Sequence, residues 1–309
     1  MRRRILLACL GTVGLAATMI NIVDGASAPR SWTAIAVPAS AAHRLDTHRF
    51  PVPPSTADCR AIYLLACYSP AQLLRAYDVD ALHERGLTGR GQTIAIVDSF
   101  GSPTIEHDLQ ADQQSLYTYR VDSWPSSDPL VTSVGGTRLH LDADGHRTAP
   151  DEVWNDDYGA GGGGLSTMFA RPAFQDGVQS VVGAQRGTPD VAMSASIDGG
   201  AIVYSSYDKD DAGWSIVGGT SEATPMFAGV VAVAAQAAGH PLGLINPALY
   251  SIAHRGDSGI VDVVNGGNTF GDVPGYDAVG GYDLASGLGS IDAGLLVPEL
   301  AAAAQPAGG

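Results

Sequence analysis

The amino-acid sequence predicts an α/β domain that contains parallel strands, and three segments carry this prediction. Residues 93–98 form a short, continuously apolar run that ends at an acid, which is typical of a buried parallel strand. Residues 103–114 have a helical pattern, so the two segments begin a β-loop-α unit. Residues 226–238 are almost wholly Ala, Val and other small residues, as in a helix that is packed on every side.

Local signals predict further elements around these three. Ser69 and Pro70 supply a hydroxyl cap and a first-turn proline, so a helix is expected over residues 71–77. Apolar, β-branched and aromatic residues predict strands at 130–134, 201–204 and 214–217. The first of these is closed by Gly135, Gly136 and Thr137.

The ends of the chain differ in composition from its middle. Residues 1–28 combine a basic start, a long apolar run and small residues before a cleavage point, which predicts a signal peptide and a secreted protein. The apolar run is also long enough for an uncleaved membrane anchor, and that alternative stays open. Residues 29–58 predict a linker or reduced prosegment, residues 59–300 the ordered domain, and residues 301–309 a disordered tail.

The charge of the chain excludes one class of partner. The formal charge is −15, and removal of the leader with its three arginines and one aspartate takes it to −17. Nucleic acid is therefore not expected as a partner, because phosphate binding needs a basic face. No stable membrane partner is expected once the leader is cleaved.

Two cysteines remain after the leader is removed, in a compartment that permits disulfides. A continuous helix from Cys59 to Cys67 would hold the two Cα atoms about 12 Å apart, which is too far for a bond. A disulfide thus requires a turn between them. A bridged pair and two buried thiols are both open.

The most suggestive site is the turn Gly218-Gly219-Thr220-Ser221 before the small-residue helix. Glycines allow close approach of backbone and substrate, and a helix N-terminus favours developing negative charge, so Ser221 is a candidate nucleophile. The alternative is an ordinary helix N-cap, since Ser and Thr commonly cap helices. Pro225 follows Ser221 by four residues, as in the Gly-Thr-Ser-x-x-x-Pro block of subtilisin-like and sedolisin peptidases.

The surrounding sequence resembles the sedolisins, the serine-carboxyl peptidases, over residues 69–292. The resemblance rests on eight short blocks that occur in the family's order. They are GQTIAIVD (91–98), VGGT (134–137), EVWN (152–155), GGGLS (162–166), PDV (189–191), GGTSEATP (218–225), GYD (281–283) and GLG (287–289).

This resemblance implies a subtilisin-like α/β fold with a mainly parallel sheet and helices on both faces. It implies endopeptidase action on a protein or peptide substrate through an acyl-enzyme on Ser221, at acid pH. It also implies one structural Ca²⁺ site. The carboxylates of Asp262 and Asp283 and the carbonyls of Val263, Val279 and Gly281 match the family's ligands, and all are oxygen donors, as Ca²⁺ requires.

The acidic part of the family's active site has no match in this chain. Sedolisins activate the serine with a Glu and an Asp one helical turn apart, and a further Asp stabilises the oxyanion. These acids belong between the blocks matched by Asp98 and Trp124, where only 25 residues lie. The domain is therefore expected to be truncated near residues 115–123 and incomplete, with a partly open sheet or an oligomer that covers the gap.

Replacement acids can be sought by spacing, since carboxylates four apart on a helix share a face. Asp108 with Asp112 and Glu152 with Asp156 have this spacing, but both pairs fall in blocks where the family has ordinary acids. Asp122 lacks the flanks of an oxyanion loop. A subtilisin-like triad with Asp98 fails because none of the eight histidines has that family's context.

The sequence thus predicts a degenerate sedolisin-like peptidase with little or no activity. Two alternatives stay open: a non-catalytic secreted module that binds calcium or peptides, and the product of a deleted gene.

Overall fold

The structure, a computed structural model, describes residues 44–94, 127–206, 212–256 and 259–303. Its helices in these ranges are α1 Thr56–Tyr63, α2 Pro70–Ala76, α3 Asp80–Glu84, α4 Gln179–Val182, α5 Thr220–Ala238, α6 Asn246–Arg255 and α7 Ala293–Ala303, with a 3₁₀ helix at Ala173–Val178. The strands are β1 Arg44–Phe50, β2 Cys67–Tyr68, β3 Val134–Arg138, β4 Glu152–Val153, β5 Asn155–Asp156, β6 Gly159–Ala160, β7 Gly164–Ala170, β8 Gln185–Thr188, β9 Val191–Ser194, β10 Gly200–Ser205, β11 Gly213–Val217, β12 Ile260–Val261 and β13 Ser290–Ile291.

The centre of the described structure is the parallel pair β3 and β9, which places Thr137 opposite Ser194. Strand β4 extends this sheet in antiparallel direction on the other side of β3. Helix α5 packs against both β3 and β9, and α7 packs against α5. The buried side chains of Ala223, Phe227 and Val230 on α5 belong to the main core, so the helix that carries Ser221 is anchored along its length.

A second sheet has the strand order β1-β11-β10-β2. Its β10–β2 pair is parallel, and its other two pairs are antiparallel. The predicted strands at 201–204 and 214–217 are confirmed as β10 and β11.

The predicted helix after Ser69 is confirmed as α2. Ser69 and Gln72 form a capping box, and Pro70 occupies the first helical position. The first-turn proline costs no hydrogen bond, because the N–H that it lacks would have no partner within the helix.

Two predicted boundaries were wrong. Strand β3 begins at Val134 rather than at Leu130, which lies in a turn with its side chain 75% exposed. Order also begins before Cys59, since β1 pairs with β11 and α1 starts at Thr56. Backbone pairing at a sheet edge demands little of side chains, so composition did not reveal β1.

The structure joins Cys59 and Cys67 in a disulfide, with the Cα atoms 5.9 Å apart. The required turn is present: α1 ends at Tyr63, and Leu64 adopts a left-handed conformation with φ 62°. This turn directs the chain back into β2.

Several predictions concern residues that the structure does not describe. They are the leader 1–28, residues 95–98 of the predicted strand, the predicted helix at 103–114, the gap near 115–123 and most of the tail. Among the residues that are described, no helix combines the length and apolarity needed to span a bilayer.

Candidate functional site

Two glycines precede the candidate nucleophile in the chain, and both contact the residues that directly follow β9. A side chain at Gly218 would place its Cβ 2.8 Å from the carbonyl oxygen of Ala195. Gly219 has φ 83°, in the left-handed region, and donates its N–H to the same carbonyl. Both positions therefore require glycine, and they fix the turn against residues 195–197.

Ser221 lies in the first turn of α5 and is half-buried. The N-cap of this helix is Gly219, so Ser221 does not serve as the cap. Within the described ranges its hydroxyl makes no hydrogen bond. The first-turn N–H groups of a helix favour an anion, but a serine needs a base to become nucleophilic.

The residue after Ser221 is an acid that the sequence analysis did not single out. Glu222 is 4% exposed, and both of its carboxyl oxygens lack a hydrogen-bond partner within the described structure. Burial raises the pKa of this carboxyl well above its usual range. The available signal was an acid within a helix that otherwise has small and apolar residues.

A buried ion pair holds the segment that leads into β9. Arg186 donates to both carboxylate oxygens of Asp190, at 2.8 and 2.6 Å, and both side chains are fully buried. Asp190 also accepts the N–H of Ser133 at 2.8 Å and the hydroxyl of Tyr250 at 2.8 Å. This pair was also missed, although Arg186 lies four residues before Asp190, the acid of the PDV block.

The residues expected to hold calcium come together in one loop cluster. Gly281 donates its N–H to Asp262 at 2.9 Å, and Val279 donates to Asp283 at 3.0 Å. The second oxygen of the buried Asp283 accepts the N–H groups of Ala285 and Ser286. The cluster thus offers two nearby carboxylates of fixed orientation.

This donor set fits a calcium ion in its chemistry. Carboxylate oxygens are the ligands that Ca²⁺ prefers, and each can coordinate while it accepts an N–H bond. Tyr282 between them donates its hydroxyl to the carbonyl of Pro189, which connects the cluster to the start of β9. A cavity of about 530 Å³ borders the cluster at Asp262 and Gly281, with His254 also in its wall.

A second acidic group lies elsewhere on the surface. Ligand atoms of Asp142, Asp144 and His146 lie within 4.8 Å of one another. Asp142 accepts the N–H groups of the other two at 2.9 Å, which is the ordinary hydrogen bonding of a tight turn.

The replacement acids that the structure describes do not form a pair. Glu152 bonds His140 at 3.0 Å, whereas Asp156 accepts from Trp154 and Ser196 at 2.9 and 2.7 Å. Both acids lie in short strands, where the helical spacing rule does not apply. Asp98, Asp108, Asp112 and Asp122 lie outside the described residues.

Comparison with known proteins gives a consistent result. Kumamolisin from Bacillus sp. (strain MN-32) is 35% identical over 200 residues, which are 61% of this chain and 34% of kumamolisin. Sedolisin from Pseudomonas sp. (strain 101) is 36% identical over 181 residues, 57% of this chain and 29% of that protein. No family model matches the chain.

A solved structure agrees with these relatives. Pseudomonas sedolisin, a serine-carboxyl proteinase crystallised with pseudo-iodotyrostatin, superposes with a TM-score of 0.53 at 29% identity. The match covers 74% of this chain and 63% of that one.

The fold is thus the subtilisin-like α/β fold of a class of serine peptidases. Within that class, the chain is related to the sedolisins, the serine-carboxyl peptidases. It spans about a third of the length of the curated relatives that it matches.

Proposed function

We propose that this chain is an exported, degenerate sedolisin-like serine peptidase with Ser221 at the nucleophile position and little or no peptidase activity. The observation that carries the proposal is the environment of Ser221. Its hydroxyl has no hydrogen-bond partner in the described ranges, and neither carboxyl oxygen of the adjacent buried Glu222 makes a hydrogen bond there.

Peptide cleavage through Ser221 would require two further groups. A base must accept the hydroxyl proton as the acyl-enzyme forms, and a donor must stabilise the oxyanion. Loss of such groups costs on the order of 10² to 10⁴ in rate each. In a sedolisin the base is a carboxylate, so any residual activity is expected at acid pH.

The second candidate function is a secreted module that binds calcium or peptides without cleaving them. It is favoured by the cluster of Asp262 and Asp283, which is folded and connected to the sheet whatever the state of Ser221. Here Asp262 and Asp283 would supply carboxylates, and Val263, Val279 and Gly281 would supply carbonyls. The ion would stabilise the loop and would not act on the substrate.

The test compares the chain from residue 29 onward with its Ser221→Ala variant. Both are purified with the disulfide oxidised and with calcium present, and both are incubated with an unfolded protein substrate from pH 3 to pH 8. We expect no difference in cleavage, because no residue in the described ranges is placed to act as a base for Ser221. Cleavage by the parent chain and not by the variant would refute the proposed loss of activity.

Thermal unfolding of the same samples separates the remaining alternatives. A cooperative transition in both samples indicates a folded, non-cleaving protein. Without a cooperative transition, the chain is the product of a broken gene.

A further inference from the structure

Among the acids in the described structure, Glu222 is the one whose carboxyl is buried with neither oxygen hydrogen-bonded. Its side chain is 4% exposed, and neither carboxyl oxygen has a hydrogen-bond partner. The side chain of Ser194 on β9 and the backbone of Ala201 on β10 are near enough to favour its ionised form, but neither makes a well-formed hydrogen bond, and burial outweighs them. A carboxyl in such a place is far more stable protonated.

Two buried hydroxyls on the strands that pack against α5 also lack hydrogen-bond partners among the described residues. The hydroxyls of Ser194 and of Thr137, which faces it across the β3–β9 pair, are buried without partners. The hydroxyl of Tyr77 accepts the N–H of Ser194 at 2.7 Å. Burial raises the pKa of Tyr77, so its hydroxyl stays neutral and adds no second negative charge near Glu222.

No cation on the elements packed against α5 is available to Glu222 within the described ranges. Arg147 lies over the ring of Tyr77, but it is paired with Asp151 at 2.8 Å. Arg138 on β3 is engaged with Glu152 and Asp198.

The other charged or titratable side chains on α7, β9 and β10 supply no cation for Glu222 either. On α7 the charged residue is Glu299, which pairs with Arg255 at 2.6 Å. Strands β9 and β10 contribute Tyr204 as their titratable side chain.

We propose that Glu222 is a protonation-dependent positioning residue for Ser221. In its neutral form it keeps the first turn of α5 seated against β9 and β10. Once ionised, the carboxylate must leave the core to be hydrated, and the first turn moves with it because Glu222 follows Ser221 directly. The serine is therefore correctly held only in acid.

The direction of the pH effect follows from linkage. The pKa of this carboxyl is higher in the folded state than in the unfolded state. Below the unfolded-state pKa of about 4.3 the carboxyl is protonated in both states, and the folded state has its full stability. As the pH rises above that value, the unfolded state loses the proton first. The equilibrium constant for unfolding then rises tenfold per pH unit until the folded carboxyl ionises.

The experiment measures urea unfolding of the chain from residue 29 onward between pH 4 and pH 7.5, by circular dichroism. Glu222→Gln is the main variant, because it keeps the shape without the titration. Glu299→Gln, which removes an exposed carboxylate, is the matched control. Hydrogen exchange of the amides in residues 218–227, corrected for intrinsic rates, reports on the first turn of α5.

We expect the parent and Glu299→Gln to lose stability as the pH rises and their first-turn amides to exchange faster, whereas Glu222→Gln shows neither trend. A parallel pH profile for the parent and Glu222→Gln would overturn the proposal. If Glu222→Gln does not fold, Glu222→Ala replaces it, with the same flat profile expected. Neither measurement depends on peptide cleavage, so this inference stands or falls separately from the proposed peptidase ancestry of the site.

Discussion

Substitution of Asp190 by Asn should destabilise the chain more than any exposed acid-to-amide change. The substitution leaves the fully buried Arg186 without a charge partner. The Ser133 N–H and the Tyr250 hydroxyl bond different oxygens of Asp190, so one of these donors then faces the amide NH₂ and loses its acceptor. Breaking a buried pair from one side costs about 3–5 kcal/mol. At about 2–4 °C per kcal/mol for a domain of this size, the melting temperature should fall by about 6–20 °C.

The matched control is Asp176→Asn, which breaks the Arg171–Asp176 pair, in which the Asp176 side chain is 62% exposed. Surface pairs contribute about 0–1 kcal/mol, so this variant should unfold nearly as the parent does. Urea unfolding followed by tryptophan fluorescence at pH 6, with calcium constant, measures both variants. Equal free energies of unfolding for Asp190→Asn and Asp176→Asn would refute the reasoning that burial sets the cost.

Two further predictions concern other parts of the chain. Replacement of both Cys59 and Cys67 by Ala should lower the free energy of unfolding by about 2.5 kcal/mol, from the entropy of a loop closed across a sequence separation of 8, and reduction of the parent should match it. Calcium at 100 times its dissociation constant should stabilise the parent by about 2.7 kcal/mol in thermal unfolding, whereas Asp283→Asn should gain much less because a ligand carboxylate is lost. An equal gain in both chains would exclude the Asp262–Asp283 cluster as the calcium site.

Local signals predicted the elements whose determinants lie within a few residues. The hydroxyl and proline before α2 specify its start, and the small-residue run specifies α5. The proximity of Asp262 to the loop of Asp283, 21 positions further on, was expected only because a family resemblance pairs them, and calcium binding there stays a prediction.

The remaining features depend on contacts that no local pattern contains. Val134 begins β3 because Gly135 and Gly136 lie against Pro189, Ala195 and Trp154, where no side chain fits, so the glycines belong inside the strand. From the sequence alone, the two glycines were expected to end the strand. The burial of Glu222 likewise depends on strands β9 and β10, whose Ser194 and Ala201 lie beside its carboxyl.

The glycines that carry the family resemblance are packing contacts. Gly218 touches the backbone of residues 195–197, Gly163 touches the carbonyl of Leu284, and Gly287 touches Asp190. Selection for folding alone would preserve these glycines, whether or not the chain cleaves peptides. A protein can therefore keep these sequence motifs without keeping catalytic activity. The motifs indicate shared ancestry and shared packing.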